Sequence, residues 1–222
     1  MGQFFYYFFN PEFAAQALPQ MWHGAQTTLA MIVLIVPLGL GLGLALAVLR
    51  TLRIGWLSTA IVAYVDFFRA VPVLVLMVAA FFGLAHLEFE LSAFATAVLI
   101  LVLALSAFSE EIFWGALLAV DRGQWEASRA NGFGFAATLA HVILPQAIRF
   151  ALPPLTSRTV SVLTNTSVAT VISVEEMVYA ASQQQALLAN PTPLTMAAIG
   201  FLIVYLPFVQ LSRALERRVG AK

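Results

Sequence analysis

From Thr27 to Leu49 the chain runs without a single charged side chain, and so it does from Ala70 to Ala85 and from Leu91 to Ser109. A helix needs about 20 apolar residues to cross the ~30 Å hydrocarbon layer of a bilayer. Inside that layer no water satisfies the backbone, so a span of this kind folds as a helix rather than as an open strand. Composition points the same way: 61% of residues are hydrophobic and 10% charged, with a mean hydropathy of +0.91. Soluble domains carry about 25% charged residues. A chain this apolar has too little polar surface to cover a globule in water.

The pattern predicts one transmembrane domain over residues 1–222 with five spans, at about 27–49, 56–85, 91–118, 148–174 and 194–213. The second joins a mixed stretch to a purely apolar one, and Pro72 bends or divides it, because proline lacks an N–H and crowds the preceding turn. The fourth is rich in Ser, Thr and Asn. Residues 121–146 are polar enough to lie outside the bilayer. Arg50 and Arg53 follow the first span, Arg122, Arg129 and Arg149 lie between the third and fourth, and Arg213, Arg217, Arg218 and Lys222 follow the fifth. The opposite loops hold Glu12, Glu88, Glu90, Glu175 and Glu176 and no Lys or Arg. Cytoplasmic loops collect positive charge, so the amino terminus is expected outside and the carboxy terminus inside. An odd number of spans satisfies this.

Charge at membrane depth costs about 2.5–3.5 kcal/mol per group on insertion scales, so each such group needs a partner or an aqueous cavity. Asp66, Arg69, Glu110, Glu111 and Arg158 are the groups concerned. Asp66 and Arg69 are spaced to pair on one helical face. Gly39 and Gly43 make a small-xxx-small face suited to close helix packing.

Several chemistries are excluded. Without cysteine there is no disulfide, thiolate metal site or cysteine nucleophile. No G-x-x-x-x-G-K-[ST] run exists to cradle ATP phosphates. His23, His86 and His141 sit on separate elements without ligand spacing, so no metal site is expected. The first residues lack the basic and small-residue features of a cleaved signal, and Tyr6 stands where myristoylation needs Ser or Thr.

The loop between the third and fourth spans carries the most specific pattern: Glu126-Ala127-Ser128-Arg129-Ala130-Asn131-Gly132, then nine residues, then Val142-Ile143-Leu144-Pro145. Residues 125–131 read as a short helix ended by Gly132 in the left-handed conformation. A second short helix is expected over 135–143, turned away from the first, with Pro145 opening the next long helix. Phe133, Phe135 and Leu139 are apolar and face cytosol only if something covers them. Glu126 would hold this hook by capping or by pairing with Arg122 or Arg129. Read alone, the stretch fits equally a helix resting on lipid headgroups and a hook docking in a partner's groove.

This loop resembles the coupling loop of binding-protein-dependent ABC importer permeases, which read Glu-Ala-Ala, three residues, Gly, nine residues, Ile-x-Leu-Pro. Ser128 and Val142 are mild departures. Over residues 20–215 the chain resembles the polar amino-acid branch of that family. Phe68-Arg69-Ala70-Val71-Pro72 stands for Phe-Arg-Gly-Thr-Pro, Ala107-Phe108-Ser109-Glu110-Glu111-Ile112-Phe113-Trp114-Gly115 for Ala-Tyr-x-Ala-Glu-Ile-x-Arg-Gly, and Leu144-Pro145-Gln146-Ala147-Ile148-Arg149 for Leu-Pro-Gln-Ala-x-Arg. In the fourth span, Thr164-Asn165-Thr166-Ser167-Val168 replaces the usual Lys-Asp-Thr-Ser-Leu, and Trp114 replaces Arg. Either the cargo differs from a typical charged amino acid, or a second permease subunit holds it, unless these polar groups only bond across helices.

The resemblance implies an all-α, type I ABC importer permease fold with five transmembrane helices and a cytoplasmic coupling loop at about 121–146. It implies a permease subunit of an ATP-driven polar amino-acid importer, with no catalytic site of its own, in a prokaryotic inner membrane. Expected partners are two ABC ATPases, which would hold the ATP and Mg, a second permease subunit (different rather than identical), and a periplasmic or tethered binding protein. No nucleic acid is expected. The coupling residues would be Glu126, Ala127, Gly132, Phe133, Phe135, Leu139 and Pro145; the substrate pathway would include Arg69, Glu111, Asn165, Thr166 and Ser167. The alternatives are a passive facilitator without an ATPase and an intramembrane enzyme, for which Asp66, Glu110 and Glu111 would be the available acids.

Overall fold

The structure is a computed structural model that describes residues 2–220, without the side chains of Phe208, residues 211–213 and residues 215–220. Lys222 lies outside the described residues, as do the side chains of Arg213, Arg217 and Arg218. Every regular element described is helical. A short α1 (Gly2–Phe8) leads into α2 (Pro11–Arg50). The start of α2 is set locally. The Asn10 side chain accepts from the amides of Glu12 (2.9 Å) and Phe13 (3.4 Å), and Pro11, which has no N–H to leave orphaned, follows at the first helical position. The helix therefore begins well ahead of the expected span at Thr27.

The expected second span is two helices, α3 (Gly55–Ala70) and α4 (Val73–His86), bent by 104°. Val71 is extended, as a residue before proline prefers, and Pro72 caps α4. The division at Pro72 is as expected; the sharpness of the bend means the pair does not make one straight crossing. Next comes α5 (Ala93–Ala119), whose Ser92 hydroxyl accepts from the Ala95 amide at 3.2 Å. The loop elements α6 (Arg122–Ala130) and α7 (Phe135–Thr138) follow, then a π-helical turn (Leu139–Ile143) running into α8 (Leu144–Thr164) and a 3-10 stretch (Asn165–Ile172).

A helix not expected from the sequence, α9 (Met177–Leu188), precedes α10 (Thr192–Gly220). Glu176 caps α9 by accepting from the amides of Val178 and Tyr179 (both 2.8 Å) and from the Thr170 hydroxyl. Burial pushes its carboxyl above the ordinary range, and these donors pull it back. The helix lies against the amino-terminal half of α2, where Gly24 packs on Met177 and Ala180 and the Met177 amide donates to Thr28 Oγ1 at 3.2 Å.

The main core joins α2, α4, α5, the end of α8 and the 3-10 stretch around Met31, Ile35, Met77, Leu101, Leu105, Leu163 and Ile172. Gly39 and Gly43 face α5 as the small-xxx-small pattern predicts: a Cβ at Gly43 would stand 2.5 Å from Ser109 Cβ and 2.7 Å from the Ser106 carbonyl oxygen. Among the described residues, three helical runs are long and apolar enough to cross a membrane, Gln3–Arg50, Ala93–Ala119 and Phe135–Ile172. The bent α3–α4 pair passes together, and the apolar part of α10, Thr192–Pro207, is shorter.

Candidate functional site

The hook between α5 and α8 is built from its own side chains. Asp121 caps α6 by accepting from the Gly123 amide at 2.6 Å. At the other end Gly132 has φ +85°, the left-handed conformation anticipated for it. The Phe133 amide reaches back to the Ser128 carbonyl (3.2 Å) and the Gly132 amide to that of Arg129 (3.0 Å), so the last carbonyls of α6 are satisfied. Across the turn, the buried Ser128 and Thr138 hydroxyls meet at 3.0 Å. The Trp125 and Phe135 rings stack with centroids 5.7 Å apart. Ser128, a departure from the family pattern, is therefore a brace, and its partner Thr138 was not singled out from the sequence.

The expected coupling residues divide into two groups. Glu126, Ala127, Gly132, Phe133, Phe135 and Pro145 are exposed, with Phe133 at 43% and Phe135 at 38%. Leu139 is not on that surface. It is buried with Ile143, Ala147, Ala151 and Leu155, one stripe at four-residue spacing against Ala47, Phe113 and Leu117. The second helix of the hook is also not separate: α7, the π turn and α8 form one continuous run. Pro145 explains the wide turn, because it donates no amide to the carbonyl four residues back and its ring crowds that carbonyl. Glu126 neither caps α6 nor makes an ion pair with Arg122 or Arg129 among the described residues; Asp121 is the cap.

The charged groups at membrane depth pair differently from the expectation. Arg69 meets Glu111 at 2.7 Å instead of Asp66, which is exposed. The end of α3 lies beside α5, and the acid on the neighbouring helix wins over the one three residues back. Arg50, on α2, reaches the fully buried Glu110 at 3.1 Å and lies over the Trp114 ring at 4.4 Å. Thus the Trp that replaces the family's Arg receives a cation from another helix. Arg158 lies over the Phe108 ring at 3.8 Å.

The remaining pathway candidates are Asn165, half-buried; Thr166, fully buried with its hydroxyl 3.3 Å from that of Tyr205; and Ser167, whose hydroxyl donates to the Thr164 carbonyl at 2.8 Å. Tyr205 in turn donates to the Leu163 carbonyl at 2.8 Å, so Thr166 faces the protein interior. Glu111 instead borders an open cleft of about 410 Å³ between α5 and α8, together with Phe108, Ser157, Arg158 and Ser161. No group of three or more His, Asp or Glu side chains able to hold a metal ion exists among the described residues.

An apolar helical bundle with a self-braced hook between two of its long helices is the architecture of a transporter membrane subunit. The family described as the binding-protein-dependent transport system inner membrane component matches residues 35–221, and the chain belongs to that family of multi-pass membrane permeases. It is 32% identical over 171 residues to the probable amino-acid ABC transporter permease protein YckA of Bacillus subtilis (strain 168), covering 77% of this chain and 76% of the relative. It is also 32% identical over 171 residues to the probable glutamine ABC transporter permease protein GlnP of the same strain, covering 77% and 78%. A solved structure described as an amino acid ABC transporter with histidines superposes with a TM-score of 0.83 at 28% identity, covering 92% of this chain and 96% of that one.

Proposed function

We propose that this chain is one of two membrane-spanning subunits of an ATP-driven importer of polar amino acids, with five crossings, the amino terminus outside and the carboxy terminus inside. Two cytoplasmic ATPases would carry the ATP and Mg, and this chain would contribute no catalytic group. A binding protein would deliver cargo on the outer side. Closure of the ATPases would draw the two hooks together, and the spans would expose a midplane site to alternate sides. The second subunit is a different chain in this reading, and it, rather than Asn165 and its hydroxyl neighbours, would supply the ion pair that relatives carry in the fourth span, beside whatever groups this chain adds to the pathway.

The observation that carries the coupling role is the internally braced hook with Phe133, Phe135 and Glu126 exposed on its surface. A helical hook whose shape is fixed internally presents apolar anchors to a groove with little ordering cost. The Glu126 carboxylate then has its partner on the ATPase.

The test is ATP hydrolysis by the complex copurified with the tagged chain. Nothing lies within 4 Å of a Cβ built at Gly132, so Gly132→Asp clashes with no part of this chain. Its effects are the left-handed strain, about 1–2 kcal/mol, and a charge at the docking surface. An inserted, folded Gly132→Asp chain that no longer retains the ATPase supports the reading. Retained ATPase with normal transport sinks it and favours a passive facilitator.

A further inference from the structure

The face of α8 that runs through Pro154, Ser157, Arg158 and Ser161 and on to Asn165 is polar, and Ser157 and Ser161 are exposed. At membrane depth such a face cannot be presented to lipid, so it lines water or a second subunit. Its one charge is Arg158, which makes no ion pair with a carboxylate among the described residues. The cation rests on the Phe108 ring at 3.8 Å, and Arg69 approaches the same ring at 5.8 Å. Stacking on a ring stabilises a guanidinium while leaving its in-plane N–H donors free for a carboxylate. Glu111 is engaged by Arg69 at 2.7 Å, so it does not neutralise Arg158.

We propose that the cleft between α5 and α8 binds the cargo, that Arg158 is its carboxylate-binding residue, and that the cargo is an acidic amino acid. The charged groups on its wall are Glu111 and Arg158, and because Arg69 neutralises Glu111 from α3, the charge of Arg158 stands unmatched. A neutral amino acid is a zwitterion whose own two charges cancel, and it leaves that charge unmatched. A second carboxylate cancels it. Ser157 and Ser161 add hydroxyls on the same wall, and the cleft, at about 410 Å³, accommodates a molecule of that size. A guanidinium receives a carboxylate through two parallel N–H donors, which a lysine does not reproduce in full.

This assignment rests on the importer reading, and the experiment separates the two. The wild-type complex, copurified through the tagged chain and placed in lipid nanodiscs without a binding protein, is titrated with radiolabelled L-glutamate, L-glutamine and L-arginine. ATP hydrolysis is recorded on the same samples. L-Glutamate is expected to bind about tenfold or more tighter than L-glutamine, and Arg158→Gln to remove that advantage. Arg158→Lys should retain part of it, and Arg158→Glu should shift preference toward L-arginine. Failure to bind L-glutamate, a wild-type preference for L-glutamine or L-arginine, or an Arg158→Gln complex that binds L-glutamate as before overturns the assignment while intact ATP hydrolysis preserves the importer reading. The same holds if Arg158→Gln only separates the permease subunits. A tagged chain that brings down no ATPase overturns both.

Discussion

Replacing Gly43 with alanine places a methyl group where α2 and α5 are closest. Its Cβ would lie 2.5 Å from Ser109 Cβ, 2.7 Å from the Ser106 carbonyl oxygen and 2.9 Å from the Glu110 amide nitrogen. Two of these atoms are backbone inside a helix, and Ser109 is itself tied to the Leu105 carbonyl at 2.6 Å, so nothing nearby yields cheaply. Relief requires α2 to move off α5. Overpacking of this kind costs about 1–3 kcal/mol, set against less than about 1 kcal/mol gained from replacing a helical glycine with alanine. Gly41, two residues away on the same helix, is the internal control, because a Cβ there meets nothing within 4 Å. Gly41→Ala should keep the propensity gain alone. Gly39→Ala should also melt below wild type, since Leu105 Cβ, fixed to its own helix, stands 2.8 Å away and rotation of that side chain does not relieve it. Thermal melting of the three variants in one lipid and detergent condition gives the ranking. For a chain of this size about 2–4 °C corresponds to each kcal/mol, so Gly43→Ala should melt several degrees below wild type and Gly41→Ala at or above it. Equal melting of Gly43→Ala and Gly41→Ala would refute the argument that backbone proximity, and not glycine's flexibility, sets this packing.

Breaking the Arg50–Glu110 pair with Glu110→Gln leaves a mostly buried guanidinium on Trp114 alone and should cost about 3 kcal/mol, whereas Arg50→Met combined with Glu110→Met should recover most of it; a double-mutant cycle on melting temperature reads the difference, and additive losses would contradict it. Tyr205→Phe strips a buried donor from the Leu163 carbonyl and should cost about 1–2 kcal/mol by the same measurement. Ser128→Ala leaves Thr138 without its hydroxyl partner and should loosen the hook, seen as faster amide exchange over residues 128–138 with unchanged exchange in α2. Uniform exchange across both regions would mean that the hydroxyl pair does not brace the hook.

Much of this was legible before the structure. The charge-free runs fix α5 and the carboxy-terminal part of α2, Pro72 marks the α3–α4 break, and Gly132 ends α6. What stayed hidden depends on contacts distant in sequence. The helix α9 contains Gln183, Gln184 and Gln185 and no apolar period; it forms because Ala180, Ala181 and Met177 have the small face of α2 to pack on. Arg69 pairs across helices because α3 ends beside Glu111, which local spacing cannot reveal. The burial of Leu139 was encoded, in the stripe Leu139, Ile143, Ala147, Ala151 and Leu155, but Pro145 reads as a helix start and divides that stripe. A wide turn carries the helix through the proline, and linear rules mark a boundary there instead.

That wide turn gives the chain a mechanical property. From Phe135 to Thr164 the backbone is one shaft about 45 Å long at 1.5 Å per residue, with the hook at one end and Arg158 near the other. The π turn is an additional residue wound into the shaft, and the wide turn takes it up without turning the far end. Excising a single residue from Leu139–Ile143 would restore ordinary turns and leave Arg158 over Phe108. The hook and Arg158 therefore ride on one continuous helix with a fixed relative facing, and a displacement of one end is carried to the other.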